Sequence, residues 1–182
     1  MRLFHVSEEP DIQQFVPRSH PTWPDLAPVV WAIGETHLRN YLLPRDCPRV
    51  TFYALAGSSE ADVQRYLDND RKKVRVVVEG DWLERIRAAK LYVYELAEES
   101  FAVANEGAGY YHARRPVDPV KRHEISDLIK AIKDQGTEFE TLPNLWELSD
   151  QIVTSTLQFS MIRMRNAKSR PDGRPAVFGR HV

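Results

Sequence analysis

The chain has 182 residues, 42% hydrophobic and 28% charged, with 25 Lys and Arg against 26 Asp and Glu and a net charge of -1. That length suits one well-cored domain better than two, and the balanced charge excludes a global basic field that gathers nucleic acid, so no DNA partner is expected and RNA ends are disfavoured. Cys47 is the only cysteine, which excludes an internal disulfide and a cysteine-rich zinc site.

The first stretch, Met1 to Pro10, alternates so that Phe4 and Val6 face one way and Leu3, His5 and Ser7 the other, which predicts a short strand with His5 opposite the aromatic. A loop follows, because Pro17, Pro21, Pro24 and Pro28 restrict φ and remove amide donors. Val29 to Ile33 predicts a strand, and Glu35 to Leu43 a short helix that Pro44 stops. Val50 to Leu55 alternates as a strand. Ser59 with Asp62 three residues on resembles a capping box, opening a helix that buries Val63, Tyr66 and Leu67. A strand is expected at Val74 to Val78, then a short helix from Gly80 with Asp81 as its N-cap and Glu84 reaching back.

Strands are expected at Leu91 to Leu96, Phe101 to Ala104 and Gly109 to Ala113, the last two joined by a turn at Glu106-Gly107. Ile125, Leu128, Ile129 and Ile132 mark a helix ending at Gly136, and Glu138 to Leu142 suits an edge strand. A long C-terminal helix is predicted from Ser149 to Ala167. On its wheel Ile152, Val153, Leu157, Phe159, Met161, Ile162 and Met164 form a wide apolar arc, with Arg163 inside that arc and in need of a partner. Lys168 to Val182 reads as a basic, Pro- and Gly-rich tail with little packing of its own. The fold class is α+β, mixed α/β: a single domain over 1–167, its central, mostly antiparallel sheet carrying short helices and the long helix, followed by the tail over 168–182.

No apolar run approaches bilayer length and the N-terminus is charged at Arg2, Glu8 and Glu9, so no membrane partner and a cytoplasmic location are expected. His20, His37, His112, His123 and His181 lack zinc spacing, so no metal is expected. Arg45 and Arg49 stand on a loop stiffened by Pro44 and Pro48, where two guanidinium groups can grip a phosphate or pair with Asp46. Cys47 suits a small buried residue better than a reactive thiol. Tyr110-Tyr111-His112 can stack on a ring or belong to the core.

The stretches Leu3 to Pro10, Trp31 to Ile33, Tyr41 to Val50 and Phe159 to Ala167 together resemble an uncharacterised family of bacterial domains, a likeness covering most of the chain up to Ala167. More distantly, Phe4-His5 on a first strand, followed by Val30 to Ile33 and a short helix, resembles the ADP-ribosyltransferase-like fold, which includes RNA 2'-phosphotransferases. That resemblance implies NAD as cofactor, His5 on a ribose and Trp31 beside nicotinamide. It also expects a glutamate near a strand start, where Tyr111 to Val117 offers no carboxylate. The expectation is a cleft that takes a small phosphorylated or nucleotide ligand, with His5 and Arg163 as candidate catalytic residues and His5, Trp31, Arg45, Arg49 and Tyr111 binding the cofactor. The alternative is a non-catalytic module that uses the same cleft for a small anion or a protein partner.

Overall fold

A computed structural model describes residues 1–19 and 25–174. His20, Pro21, Pro24 and the tail beyond Arg174, with His181, lie outside the described residues. In chain order the strands and helices are β1 (Leu3–Ser7), β2 (Val30–Gly34), β3 (Arg49–Tyr53), α1 (Glu60–Leu67), β4 (Val74–Glu79), α2 (Leu83–Ala88), β5 (Leu91–Leu96), β6 (Ala102–Asn105), β7 (Tyr110–Ala113), β8 (Pro119–Ile125), α3 (Leu128–Asp134), β9 (Thr137–Leu142), α4 (Trp146–Val153) and β10 (Gln158–Ile162). Short 3-10 helices occupy Glu35–Tyr41, Gly80–Trp82, Glu98–Ser100 and Met164–Asn166. The content is α+β, as expected, with two sheets in place of one. The chain divides into two compact units, the first made of Met1–Arg45 and Ala89–Leu128, the second of Asp46–Ala88 and the chain from Ile129 onward.

The first unit holds a six-stranded sheet in the order β6-β7-β2-β1-β5-β8, antiparallel throughout. Alternation puts Leu3, Val30, Ala32, Tyr94, Leu96, Tyr111 and Ala113 on one face, and these form a core with Phe15 and Val117 from the flanking loops. Strand β1 pairs with β2 at Leu3↔Gly34 and Phe4↔Ile33, whereas it stays with β5 down to Ser7↔Tyr92. The proline-rich stretch after Pro10 is loop, but it is anchored: Phe15 bridges to Val117 and Arg18 to Val29.

The second unit holds a four-stranded sheet in the order β10-β3-β4-β9, with β4 and β9 parallel and the other pairs antiparallel. Val76, Val77 and Val78 are all buried, the continuous apolar run of a strand covered on both faces. Val50, Phe52, Val63, Leu67, Leu145, Trp146, Ile152 and Leu157 share its core. Ser59 caps α1 by accepting from the Asp62 amide at 3.2 Å, as half of the predicted box requires; the other half goes elsewhere, because the Ser59 amide donates to the Thr156 hydroxyl at 2.8 Å. Asp81 is no N-cap: its carboxylate pairs with the Lys168 ammonium at 2.8 Å, and Glu79 precedes the 3-10 turn without a side-chain cap.

The long C-terminal helix does not form. Helix α4 stops at Val153, where Thr154 donates its hydroxyl to the Gln151 carbonyl at 2.9 Å and Ser155 donates to Ile152 at 2.8 Å, capturing the carbonyls that a continuing helix would need. The chain then runs as β10 against β3, with Phe159↔Phe52 and Met161↔Val50 in register. Leu157, Phe159 and Met161 contribute to the core at a period of two, which a 100° wheel spreads into a wide arc. Arg163 leaves the strand in the left-handed region, φ 56, and opens the Met164–Asn166 turn, so it has no place in an apolar helical face. The beginning of the tail is packed as well. Arg170 is bidentate to Asp150 at 2.7 and 2.8 Å, lies 4.4 Å over the Trp146 ring and has a side chain only 8% exposed.

Candidate functional site

Past Phe4 the edge of β2 turned toward β1 is occupied by other groups. The Trp31 carbonyl accepts a hydrogen bond from His5 Nδ1 at 2.9 Å, and Val29 exchanges both main-chain hydrogen bonds with Arg18, at 3.0 and 3.1 Å. An imidazole thus supplies the donor that a continuing strand would have supplied. The ring lies 4.6 Å from Phe15, tilted by 44°, and Phe15 meets Tyr94 edge-on at 5.3 Å. Tyr94, paired with His5 across β1 and β5, donates its hydroxyl to the Glu9 carbonyl at 2.6 Å and accepts from the Ile12 amide at 3.2 Å. The loop is thereby held against the ring.

Because a carbonyl only accepts, the Trp31 contact places the proton of the neutral imidazole on Nδ1 and leaves Nε2 as an acceptor. Burial lowers the His5 pKa from its ordinary value. The bond to Trp31 works against this, the guanidinium groups of Arg45 and Arg18 lower it further, and Glu9 raises it. His5 is therefore neutral near pH 7, beside two cations. Arg45 is exposed, and its amide donates to the Glu8 carboxylate at 3.0 Å.

Among the predicted residues, His5, the Trp31 backbone and Arg45 come together in the first unit, whereas the Trp31 indole takes a different place. Trp31 pairs with His112, and its ring meets Tyr110 and His112 at 6.1 and 6.2 Å, on the sheet face opposite the one that Ala32 shares with Tyr111. Tyr111 is a core residue, 9% exposed, with its hydroxyl on the Met1 sulfur at 3.1 Å. Arg49 belongs to the second unit, is 2% exposed, and donates to the Cys47 carbonyl at 2.8 Å. Cys47 is fully buried, and burial pushes its thiol up to about 12, against the pull of Arg49 and Arg85. Arg163 also belongs to the second unit.

The sequence reading overlooked Phe15, Arg18 and Tyr94. Phe15 is a lone aromatic in a proline-rich loop, and only its bridge to Val117, about a hundred residues on, gives it a place. In the second unit Glu79 was also missed: it is 1% exposed, and both its carboxylate oxygens accept from the Lys168 amide at 3.1 Å, a structural anchor for the tail. Among the described residues no group of three His, Cys, Asp or Glu side chains is arranged to hold a metal ion, and no helix is long and apolar enough to cross a membrane. No curated protein and no solved structure matches the chain. A family profile does match, over residues 4–167, and the chain belongs to that family, the family of unknown function DUF6886.

Proposed function

We propose that the protein binds a phosphorylated ribose ligand of the NAD or ADP-ribose type in the first unit, at His5, and acts as an ADP-ribosyltransferase-like transferase on that ribose. The hydrogen bond from His5 Nδ1 to Trp31 carries the reading. It leaves on Nε2 a lone pair suited to a sugar hydroxyl, on a ring that stays neutral and already oriented. Arg45 supplies the cation for the phosphate, and Arg18 adds to the same positive field. In the transfer the bond from ribose C1 to nicotinamide breaks, nicotinamide leaves with the electron pair, and an acceptor nucleophile forms the new bond and gives up its proton.

A second reading, a binding module for a small anion or partner, is favoured by one observation: β7 and the residues after it, Tyr110 to Val117, contain no carboxylate where the resembled transferases carry a glutamate. Thermal unfolding with NAD, ADP-ribose, AMP and ribose 5-phosphate tests the nucleotide site. A ligand at 100 times its dissociation constant should add about 2.7 kcal/mol, and Arg45→Ala should weaken binding by about tenfold. Stabilisation by NAD with release of nicotinamide supports the transferase; stabilisation without release moves the assignment to the binding module. A flat response across the four ligands overturns the transferase reading and leaves the module for another small anion or a protein partner.

A further inference from the structure

We infer that Arg18, Arg114 and Arg115 form a second phosphate subsite, which takes the other phosphate of a diphosphate ligand whose first phosphate meets Arg45. This rests on the nucleotide-binding reading and assigns the residues that hold its second phosphate.

The strand register brings these residues together. Strand β7 ends at Ala113, which pairs with Val30. Val29, the preceding residue, pairs with Arg18, and Val117 exchanges hydrogen bonds with Phe15 at 2.8 and 2.9 Å. Three short antiparallel pairings thus close a backbone ring: Arg18 lies beside Val29, and Arg114 and Arg115 follow directly from the partner of Val30. The ring adjoins His5, which packs at a tilt against Phe15 and feels the charge of Arg18.

All three arginines are exposed, and none has a carboxylate partner among the described residues. Three nearby carboxylates accept bonds from other residues: Asp118 from Gln14 at 2.9 Å, Asp11 from Arg122 at 2.8 Å, and Glu8 from the Arg45 amide at 3.0 Å; Glu9 is the carboxylate whose charge raises the His5 pKa. Adjacent like charges repel, and planar guanidinium forks match phosphate oxygens two at a time. A diphosphate fits this set better than a monophosphate, since Arg45 takes one group and the ring arginines the other.

Calorimetric titration of the full chain with AMP, ADP and ADP-ribose at one fixed ionic strength tests the inference. The wild type should bind ADP about tenfold tighter than AMP. Arg114→Ala with Arg115→Ala should abolish that advantage while keeping AMP affinity within about twofold. The corresponding double lysine variant should restore only part of it, because an ammonium lacks the fork. Both positions are exposed, so the melting temperature should hold; were the double variant to misfold, each single alanine variant should remove part of the advantage. Equal affinity of the wild type for AMP and ADP overturns the inference, as does a double variant that keeps the ADP advantage or loses both ligands in the same proportion. If AMP binds with the expected dependence on Arg45 but ADP gains nothing, only the second subsite falls. If no nucleotide binds, the nucleotide reading falls and takes the subsite with it.

Discussion

His5 shows how one side chain can close a gap in a sheet: its Nδ1 donates to the Trp31 carbonyl, which lies beyond the β1–β2 pairs at Leu3 and Phe4. Its folded-state pKa is depressed, first by burial, so between that value and the unfolded value near 6.5 the unfolded chain binds a proton that the folded chain does not. The stability this withholds from acid is fully present above about pH 6.5 and falls as pH drops toward the folded pKa. His37, half-buried near Arg39, is shifted in the same direction. Urea unfolding between pH 7.5 and 5 should therefore show declining stability, and His5→Gln, which can still donate to Trp31, should make the decline shallower. An unchanged slope would mean that His5 titrates as an ordinary exposed histidine.

Gly109 makes a second residue-scale case. Its φ is +67, and an added Cβ would lie 2.3 Å from His37 Nδ1. Gly109→Ala should cost about 2 kcal/mol or more, from the left-handed backbone and the ring contact together. Adding His37→Ala should recover the contact part but not the backbone part, a coupling that a double-mutant cycle reads out.

At the scale of elements, the turn after α4 is tied to the start of α1. Asp62 accepts from the Thr156 hydroxyl at 2.6 Å, the Thr156 amide at 2.8 Å and the Ser59 hydroxyl at 2.9 Å. Those bonds, the Thr156 hydroxyl first, hold the Asp62 carboxyl below its ordinary pKa, so their contribution is present above about pH 4 and is lost as pH falls through the folded value. Thr156→Val should cost about 1 kcal/mol, the scale of a lost cap, and weaken protection of the α1 amides in hydrogen exchange. No loss in either measurement would mean that the α1 cap stands without the tie.

This tie also explains which elements could be read from sequence. Strands β1, β2, β4, β5 and β7 and helix α1 stand where alternation, caps and turn residues put them, because local pattern and tertiary environment agree there. Strand β8 was missed: Pro119 opens it and Val120 to Glu124 are polar or exposed on both faces, leaving no apolar alternation to read. In 149–167 both periods fit the same apolar residues, and the choice was made by Thr154 and Ser155, which bond carbonyls three residues back, and by Thr156, whose partners lie nearly a hundred residues away. At the site, His5 was legible from β1, but Phe15, Arg18 and Tyr94 join it through long-range bridges that no local spacing encodes.

At the scale of the molecule, the described beginning of the tail is part of the second unit's structure. Arg170 is held by two bonds to Asp150 and by the Trp146 ring, and the Trp146 indole donates to the Lys168 carbonyl at 2.6 Å. Truncation after Ala167 should cost about 2 kcal/mol in denaturant unfolding, and Arg170→Lys should recover little of what Arg170→Ala loses, since it lacks the planar fork. Full stability after truncation would make these contacts incidental.

The central claim, that a neutral His5 with its proton on Nδ1 offers Nε2 to a ribose hydroxyl, is tested most directly by long-range 1H-15N correlation NMR of the His5 ring at pH 7.5, with and without saturating ADP-ribose. Without ligand, Nδ1 should resonate as a protonated pyrrole-type nitrogen and Nε2 as an unprotonated pyridine-type one. With ligand, Nε2 should shift upfield as it accepts a hydrogen bond, while Nδ1 barely moves. The opposite tautomer in the free protein, or an Nε2 resonance that ADP-ribose leaves in place, would contradict the account.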